Sequence, residues 1–251
     1  MIENVVISDD GPIRRVRMNR LEKMNAITDD MYDKLAGAFE SAAHNKGVRC
    51  IVITGGKTVF SAGSDLNDFL HAAEHMEGLR PAVGRFLRGL VHTEKPVVAG
   101  VQGVAIGIGM TMLLHFDYVV AATNARFSAP FAKLGVVPEA GSSLLAPRLM
   151  GTRRAFALLV MGRALDAQEA KSVGLVNVVV PPEKVEDEVM NAAHEIAALP
   201  PEAVAISRRL IHGSPAEIMK RTIEEADIFR ARLRSQEART AFEDFLKRKK
   251  K

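Results

Sequence analysis

Apolar runs of strand length, separated by segments with helical periodicity, predict an α/β fold with a mostly parallel or mixed sheet. Three observations carry this prediction. Residues 49–54, 96–101 and 116–122 have the length and composition of buried strands. The segments between them place apolar residues three or four apart, as an amphipathic helix does. Glycine and proline clusters such as Gly55-Gly56 and Pro181-Pro182 punctuate the junctions.

Taken in order, residues 4–7 and 14–18 read as two strands around the turn signal Asp9-Asp10-Gly11-Pro12, which predicts a hairpin. Thr28-Asp29-Asp30 can cap a helix whose apolar stripe is Met31, Leu35, Phe39 and Ala42 and whose end falls near residues 44–47. A buried strand over 49–54 leads into the turn Phe60-Ser61-Ala62-Gly63-Ser64-Asp65-Leu66. Residues 69–76 and 83–91 then read as helices, the second after Pro81, and strands over 96–101 and 116–122 follow. After Gly151 the pattern is helical, broken only by the β-rich run 175–180. Asp166 and Glu169 have capping-box spacing. In the last long segment Met219, Ile223, Ala226, Phe229 and Leu233 form a predicted apolar stripe, continued by Phe242 and Phe245, which packs on its own core or on a neighbouring subunit.

The composition is that of an ordinary globular protein: 251 residues, 47% hydrophobic and 25% charged, enough chain to bury a large core. The net charge of +4 is concentrated in the lysine-rich end from Lys247, so no general field for nucleic acid is implied. Cys50, the single cysteine, lies in an apolar run and reads as a small hydrophobe in a reducing compartment. The amino-terminal residues lack a secretory pattern, and a cytoplasmic protein is expected. Residues 97–114 formally resemble a short membrane span with a Gly-x-x-x-Gly motif, but four glycines and Gln102 argue against one. Gly107-Ile108-Gly109 is a poor dinucleotide loop, since position 112 is Met rather than glycine.

The chemistry is expected between residues 58 and 143. Gly63 and the pair Gly107 and Gly109 permit backbone conformations in which the N–H groups of Ser64 and Ile108 point at one oxygen. A helix beginning near Gly109 and running to His115 would add positive potential. Such a pair stabilises an enolate or a tetrahedral oxyanion. Ordinary tight turns are the plain structural alternative. Glu139 follows in an apolar stretch with Phe131, Val136, Val137 and Leu144, which should raise its pKa and make it a stronger base. Its structural alternative is an idle carboxylate at a helix amino terminus. Asp65 is read as a helix cap and Asp117 as structural. The seven histidines form neither a metal-ligand spacing nor a triad, so no metal is expected.

Asn19-Arg20-x-x-x-x-Asn25-Ala26, residues 60–66, Gln102-Gly103-x-Ala105-x-Gly107-x-Gly109, Phe127, Gly135 and Pro138, in that order, resemble the crotonase (enoyl-CoA hydratase/isomerase) superfamily. The resemblance spans nearly the whole chain. It implies a spiral of ββα units over residues 1–190, a carboxy-terminal helical trimerisation region over 191–251, and trimers or dimers of trimers. It implies an acyl-coenzyme A thioester as substrate, with no separate cofactor, whose thioester oxygen is held by the Ser64 and Ile108 amides. It places Lys23 near the phosphates, the backbone of Met24 and Ala62 near the adenine, and Asp65, Leu66, Gly107 and Phe131 along the substrate. Phe242 fits an aromatic position that a neighbouring subunit often supplies.

Hydratases of this superfamily carry two glutamates, at the positions matched by Thr111 and Phe131, and neither residue is an acid here. Hydration calls for one group to activate water and another to handle the second proton, so their loss argues against it. The segment around Glu139 is instead similar to that of peroxisomal-type Δ3,Δ2-enoyl-CoA isomerases, whose chemistry one carboxylate can carry. A hydratase, a hydrolase or lyase of the same superfamily, and a catalytically idle acyl-CoA-binding homologue are the alternatives.

Overall fold

The computed structural model describes residues 3–65, 68 and 81–249. Strands β1 (Val5–Asp10) and β2 (Ile13–Met18) form the expected hairpin, pairing antiparallel with Val5 opposite Met18. Helix α1 (Asp29–His44) starts at Thr28, whose side chain accepts from the Met31 N–H. β3 (Cys50–Thr54) and the short β4 (Val59–Ser61) follow, and α2 spans Pro81–His92. The helix expected over 69–76 and the side chain of Phe245 lie outside the described residues.

From here two strands repeatedly precede helical chain: β5 (Val97–Val101) and β6 (Val104–Ile106) before α3 (Ile108–Thr111), then β7 (Tyr118–Ala122) and β8 (Arg126–Ser128) before α4 (Ser142–Met150). Helix α5 (Thr152–Leu159), β9 (Leu165–Asp166), α6 (Ala167–Ser172) and β10 (Val178–Val180) complete the sheet region. Four helices end the chain: α7 (Val185–Ala198), α8 (Pro201–His212), α9 (Pro215–Leu233) and α10 (Gln236–Lys249). The capping box at Asp166 forms, each partner bonding the other's backbone N–H.

Each pair gives one strand to each of two sheets. The larger sheet has the order β1-β2-β3-β5-β7-β10, parallel beyond the first hairpin, and the smaller has the order β4-β6-β8-β9. This alternation between sheets is a ββα spiral. Sequence reading recovered the larger sheet and missed the smaller one, whose strands are two or three residues long and show no periodicity.

The larger sheet is covered on both faces, which is why β3 and β5 read as unbroken apolar runs. Successive side chains face opposite ways: Ile51 and Ile53 enter the main core, whereas Cys50 and Val52 pack in a second cluster with Val185, Val189 and Ala193 of α7. Cys50 is thus a buried small apolar side chain, its thiol pushed up to about 12 mainly by desolvation. Asp117 is structural, as expected. It accepts from the Val97 N–H at 2.7 Å and pairs with Arg208 and His212 of α8, fastening that helix to the sheet edge.

Two expectations fail in the carboxy-terminal region. The buried face of α9 is Ile218, Thr222, Glu225 and Leu233, rotated from the predicted stripe so that Ile223 is 53% exposed. A buried carboxylate was not anticipated on that face. Phe242 is only 4% exposed and belongs to the chain's own main core, together with Phe131 and Val136. It is therefore not presented to a ligand held by a neighbour, because α10 folds back onto its own body: a Cβ on Gly135 would lie 2.7 Å from the Ala238 Cα. No helix among the described residues is long and apolar enough to cross a membrane. The apolar run 97–114 folds instead as β5, β6, α3 and part of a 3-10 turn.

Candidate active site

The smaller sheet brings the two glycine turns together. β4 and β6 are parallel with Ser61 opposite Ala105, and three residues after each, beyond the strand ends, come Ser64 and Ile108. Gly63 and Gly107 cross at close range, since a Cβ on Gly63 would fall 2.8 Å from the Ile106 carbonyl oxygen and 3.8 Å from the Gly107 Cα. Both have positive φ, +92° and +56°, so glycine is needed on conformational grounds as well. Gly109 fits against β4 only because it lacks a side chain: its Cβ would meet the Ser61 Cβ and carbonyl oxygen at 2.8 Å.

On its far side this turn is tied to Ile27, whose N–H donates to the Gly63 carbonyl while its carbonyl accepts from the Asp65 N–H. In such a bridge the intervening Ser64 N–H points the opposite way, toward β6. Ile108 is the first residue of α3, so its N–H has no acceptor within the helix. Among the described residues neither amide has an acceptor. The helix expected through His115 is shorter: α3 ends at Thr111 and Met112–His115 tighten into a 3-10 turn. The site thus gains a free N–H from α3 rather than a long-helix dipole.

Glu139 meets α3 at its last residue, Thr111. It precedes Ala140 and Gly141, both with positive φ, at the turn into α4. The Thr111 hydroxyl, one turn beyond Ile108, donates to Glu139 Oε1 at 2.6 Å. The residue keeps some exposed surface, but its carboxyl group is enclosed by protein. Desolvation, opposed by the Thr111 hydrogen bond and reinforced by the nearby Glu225 charge, pushes its pKa up to about 8. Thr111 also lies 3.3 Å from the Gly107 carbonyl oxygen. It can donate to the ionised carboxylate, or turn to Gly107 and accept from the protonated acid. Either protonation state of Glu139 then keeps a hydrogen bond.

Phe131 and Val136 are buried beside this turn in the main core, and Val137 and Leu144 are half-buried. Asp65 is buried and ion-paired with Arg20 at 2.7 Å. The helix it was expected to cap, and Leu66, lie outside the described residues. Lys23 is exposed on the 3-10 turn Leu21–Lys23. Next to it Met24 and Asn25 adopt positive φ, and the Met24 carbonyl accepts from the Ala62 N–H at 2.9 Å, so the two backbones expected near one ligand group are adjacent. Those N–H groups are occupied, Met24 donating to Leu21, which leaves the Ala62 carbonyl as the available backbone group.

Sequence reading did not assign Asn25, Tyr32, His115 or Glu225. Fully buried Asn25 accepts from the Arg20 N–H and donates to the Phe60 carbonyl, strapping loop 20–26 onto β4. Tyr32 Oη lies 2.6 Å from Ser64 Oγ. Asn25 left a signal as part of the Asn19-to-Ala26 motif, and Glu225 as an acid at helical spacing among the apolar residues 218, 229 and 233. Among the described residues no His, Cys, Asp and Glu cluster could hold a metal ion.

Two glycine turns in close approach, with Glu139 hydrogen-bonded to Thr111 one helical turn beyond Ile108, stand on a ββα spiral. The enoyl-CoA hydratase/isomerase family model matches residues 9–251, and the chain belongs to that family. It is 37% identical to enoyl-CoA delta isomerase 2 of Rattus norvegicus over 99% of this chain, covering 65% of that protein's length. Crotonyl-CoA hydratase of Syntrophomonas wolfei is 32% identical over 99% of this chain and 96% of its own. The crystal structure of an enoyl-CoA hydratase/isomerase from Pseudoalteromonas atlantica superimposes with a TM-score of 0.93 at 38% identity, covering 98% of each chain.

Proposed function

We propose that this chain is an acyl-CoA isomerase that moves a 3-enoyl double bond to the 2-position, with Glu139 as its single acid–base group. One observation carries the reading: the enclosed Glu139 carboxyl is hydrogen-bonded to Thr111, one helical turn from the Ile108 amide. With the thioester oxygen on the Ser64 and Ile108 N–H groups, electron density released at C2 flows onto that oxygen. Ionised Glu139 removes the C2 proton, the two amides hold the dienolate, and the protonated acid returns a proton at C4. No net proton or electron is required, so one carboxyl suffices.

The environment of the second carboxylate supports isomerisation over hydration. Glu225 accepts the Gly141 N–H at 2.6 Å and the Ser143 N–H at 2.8 Å, and so is committed to the backbone rather than to a water. Thr111 and Phe131 occupy the positions where the hydratase pattern has acids. Lys23 and the Ala62 carbonyl are assigned to the coenzyme A phosphates and adenine on their placement at one edge of the site. Self-association is part of the proposal, supported by Leu210 and Ile211 of α8, 77% and 82% exposed.

The test is incubation of the purified protein with a 3-enoyl-CoA, a 2-enoyl-CoA and a saturated acyl-CoA, with product analysis. Double-bond migration of the first substrate is expected. Hydration of the second, or thioester hydrolysis, without migration overturns the proposal, and binding without turnover identifies an idle homologue.

A further inference from the structure

The second peptide unit after the proposed base is gripped at both ends by buried side chains from distant parts of the chain. The Ala140 carbonyl lies 2.7 Å from His115 Nε2, and the Gly141 N–H donates to Glu225 Oε2 at 2.6 Å. Both groups belong to one peptide plane. Its flanking residues have φ of +60° and +71°, and Ala140 is an alanine in the left-handed region that favours glycine. A strained turn persists only where its surroundings over-determine it. Here they do: Glu225 also accepts the Ser143 N–H, and the Glu139 carbonyl accepts from Ser142.

We propose that His115 and Glu225 are positioning residues, which clamp the Ala140–Gly141 peptide and so fix the direction in which Glu139 presents its carboxyl to the substrate. The inference rests on Glu139 being the base. It extends the functional unit into α9, whose Glu225 is 5% exposed on the core-facing side of that helix.

His115 must donate to the Ala140 carbonyl, so its Nε2 carries the proton. Burial, the main influence, holds its pKa down at about 4, so the ring is neutral and adds no charge. Glu225 differs: burial, the main influence, raises its pKa, while the Ser143 and Gly141 N–H groups it accepts and the Arg221 charge favour the ionised form, whose negative charge acts on Glu139. Among the described residues, the other charged or titratable groups facing the clamp are Arg208 and His212 of α8, beside His115, and Arg221 of α9. Arg221 reaches Ser143 Oγ at 3.2 Å and is paired with Glu224, while Arg148 of α4 pairs with Glu217 on the exposed surface.

The two clamp residues therefore have different signatures. The experiment measures kcat and KM for 3-enoyl-CoA isomerisation across pH for the wild type, Glu225→Gln, His115→Gln and Glu139→Gln, with circular dichroism to verify folding. In Glu225→Gln the plateau kcat is expected to fall tenfold or more with KM within about twofold, since the amide must oppose one of the two N–H donors with its own NH2. The acidic limb should also move to lower pH, because a negative neighbour is lost. In His115→Gln the plateau should fall while the limb stays in place. A plateau and limb unchanged in a folded Glu225→Gln overturn the clamp. Should that variant not fold, an unchanged plateau in His115→Gln overturns it. Full activity in Glu139→Gln overturns the base assignment itself, so the two failures are distinguishable.

Discussion

The Thr111 hydroxyl donates a 2.6 Å hydrogen bond to the Glu139 carboxylate. The interaction favours the ionised acid and partly offsets desolvation. Thr111→Val removes the donor while nearly keeping the side-chain volume. A hydrogen bond to a charged group contributes about 1.5–3 kcal/mol, or one to two pK units. The acidic limb of the pH–rate profile should move upward by about that amount, with activity at pH 7 falling about tenfold or more. A pH series of initial rates checks it.

Crowding between β4 and α3 sets the spacing of the two amides. Gly109→Ala places a methyl 2.8 Å from Ser61 Cβ and carbonyl oxygen, so α3 must shift. Loss of one oxyanion donor costs on the order of a hundredfold in rate or more. The expected result is a kcat reduced by about that factor, together with overpacking of about 1–3 kcal/mol in a denaturant titration.

The proposed base also costs stability. Its folded pKa of about 8 lies above the ordinary carboxylate value of 4.5, so between those values the native state holds a proton that the unfolded chain has released. Stability from this group therefore declines as pH rises through that window. Glu139→Gln should be more stable than the wild type at pH 8 by on the order of 1 kcal/mol or more, with the difference vanishing below about pH 4.5. Thermal melts at several pH values measure it.

His115 acts in the opposite direction. Its folded pKa of about 4 lies below the ordinary 6.5, so the unfolded chain takes up a proton first as the pH falls. The stability this group contributes is complete above pH 6.5 and is lost on descending toward pH 4. His115→Gln should flatten that part of the stability profile. Asp117 adds to acid lability in its own lower range: burial pushes its pKa up, but His212, Arg208 and the Val97 N–H together hold it below the usual carboxylate value.

The larger sheet was legible because its strands are long, apolar and buried on both faces, and α1 and α6 because Thr28 and Asp166 announce their caps. The smaller sheet was not, although it pairs Ser61 with Ala105 just before the two glycine turns. A three-residue strand carries no period, and only the glycines at 63, 107 and 109 mark its path. Glu139 stood out through its apolar setting and the family resemblance. The groups that hold it did not, since His115 and Glu225 lie 24 and 86 residues away and meet only through folding. The stripe on α9 was misplaced because buried Thr222 and Glu225 occupy core-facing positions that hydrophobicity assigns to Ile223 and Ala226.

The most direct measurement is the rate at which wild type and Glu139→Gln convert a 3-enoyl-CoA to the conjugated 2-enoyl-CoA, followed by the ultraviolet absorbance of the product. The predicted result is turnover by the wild type and loss of about a thousandfold or more in the variant, with its fold and acyl-CoA binding intact. Equal rates in the two proteins, or no conversion by a wild type that binds the substrate, would contradict a mechanism built on one acid and two backbone amides.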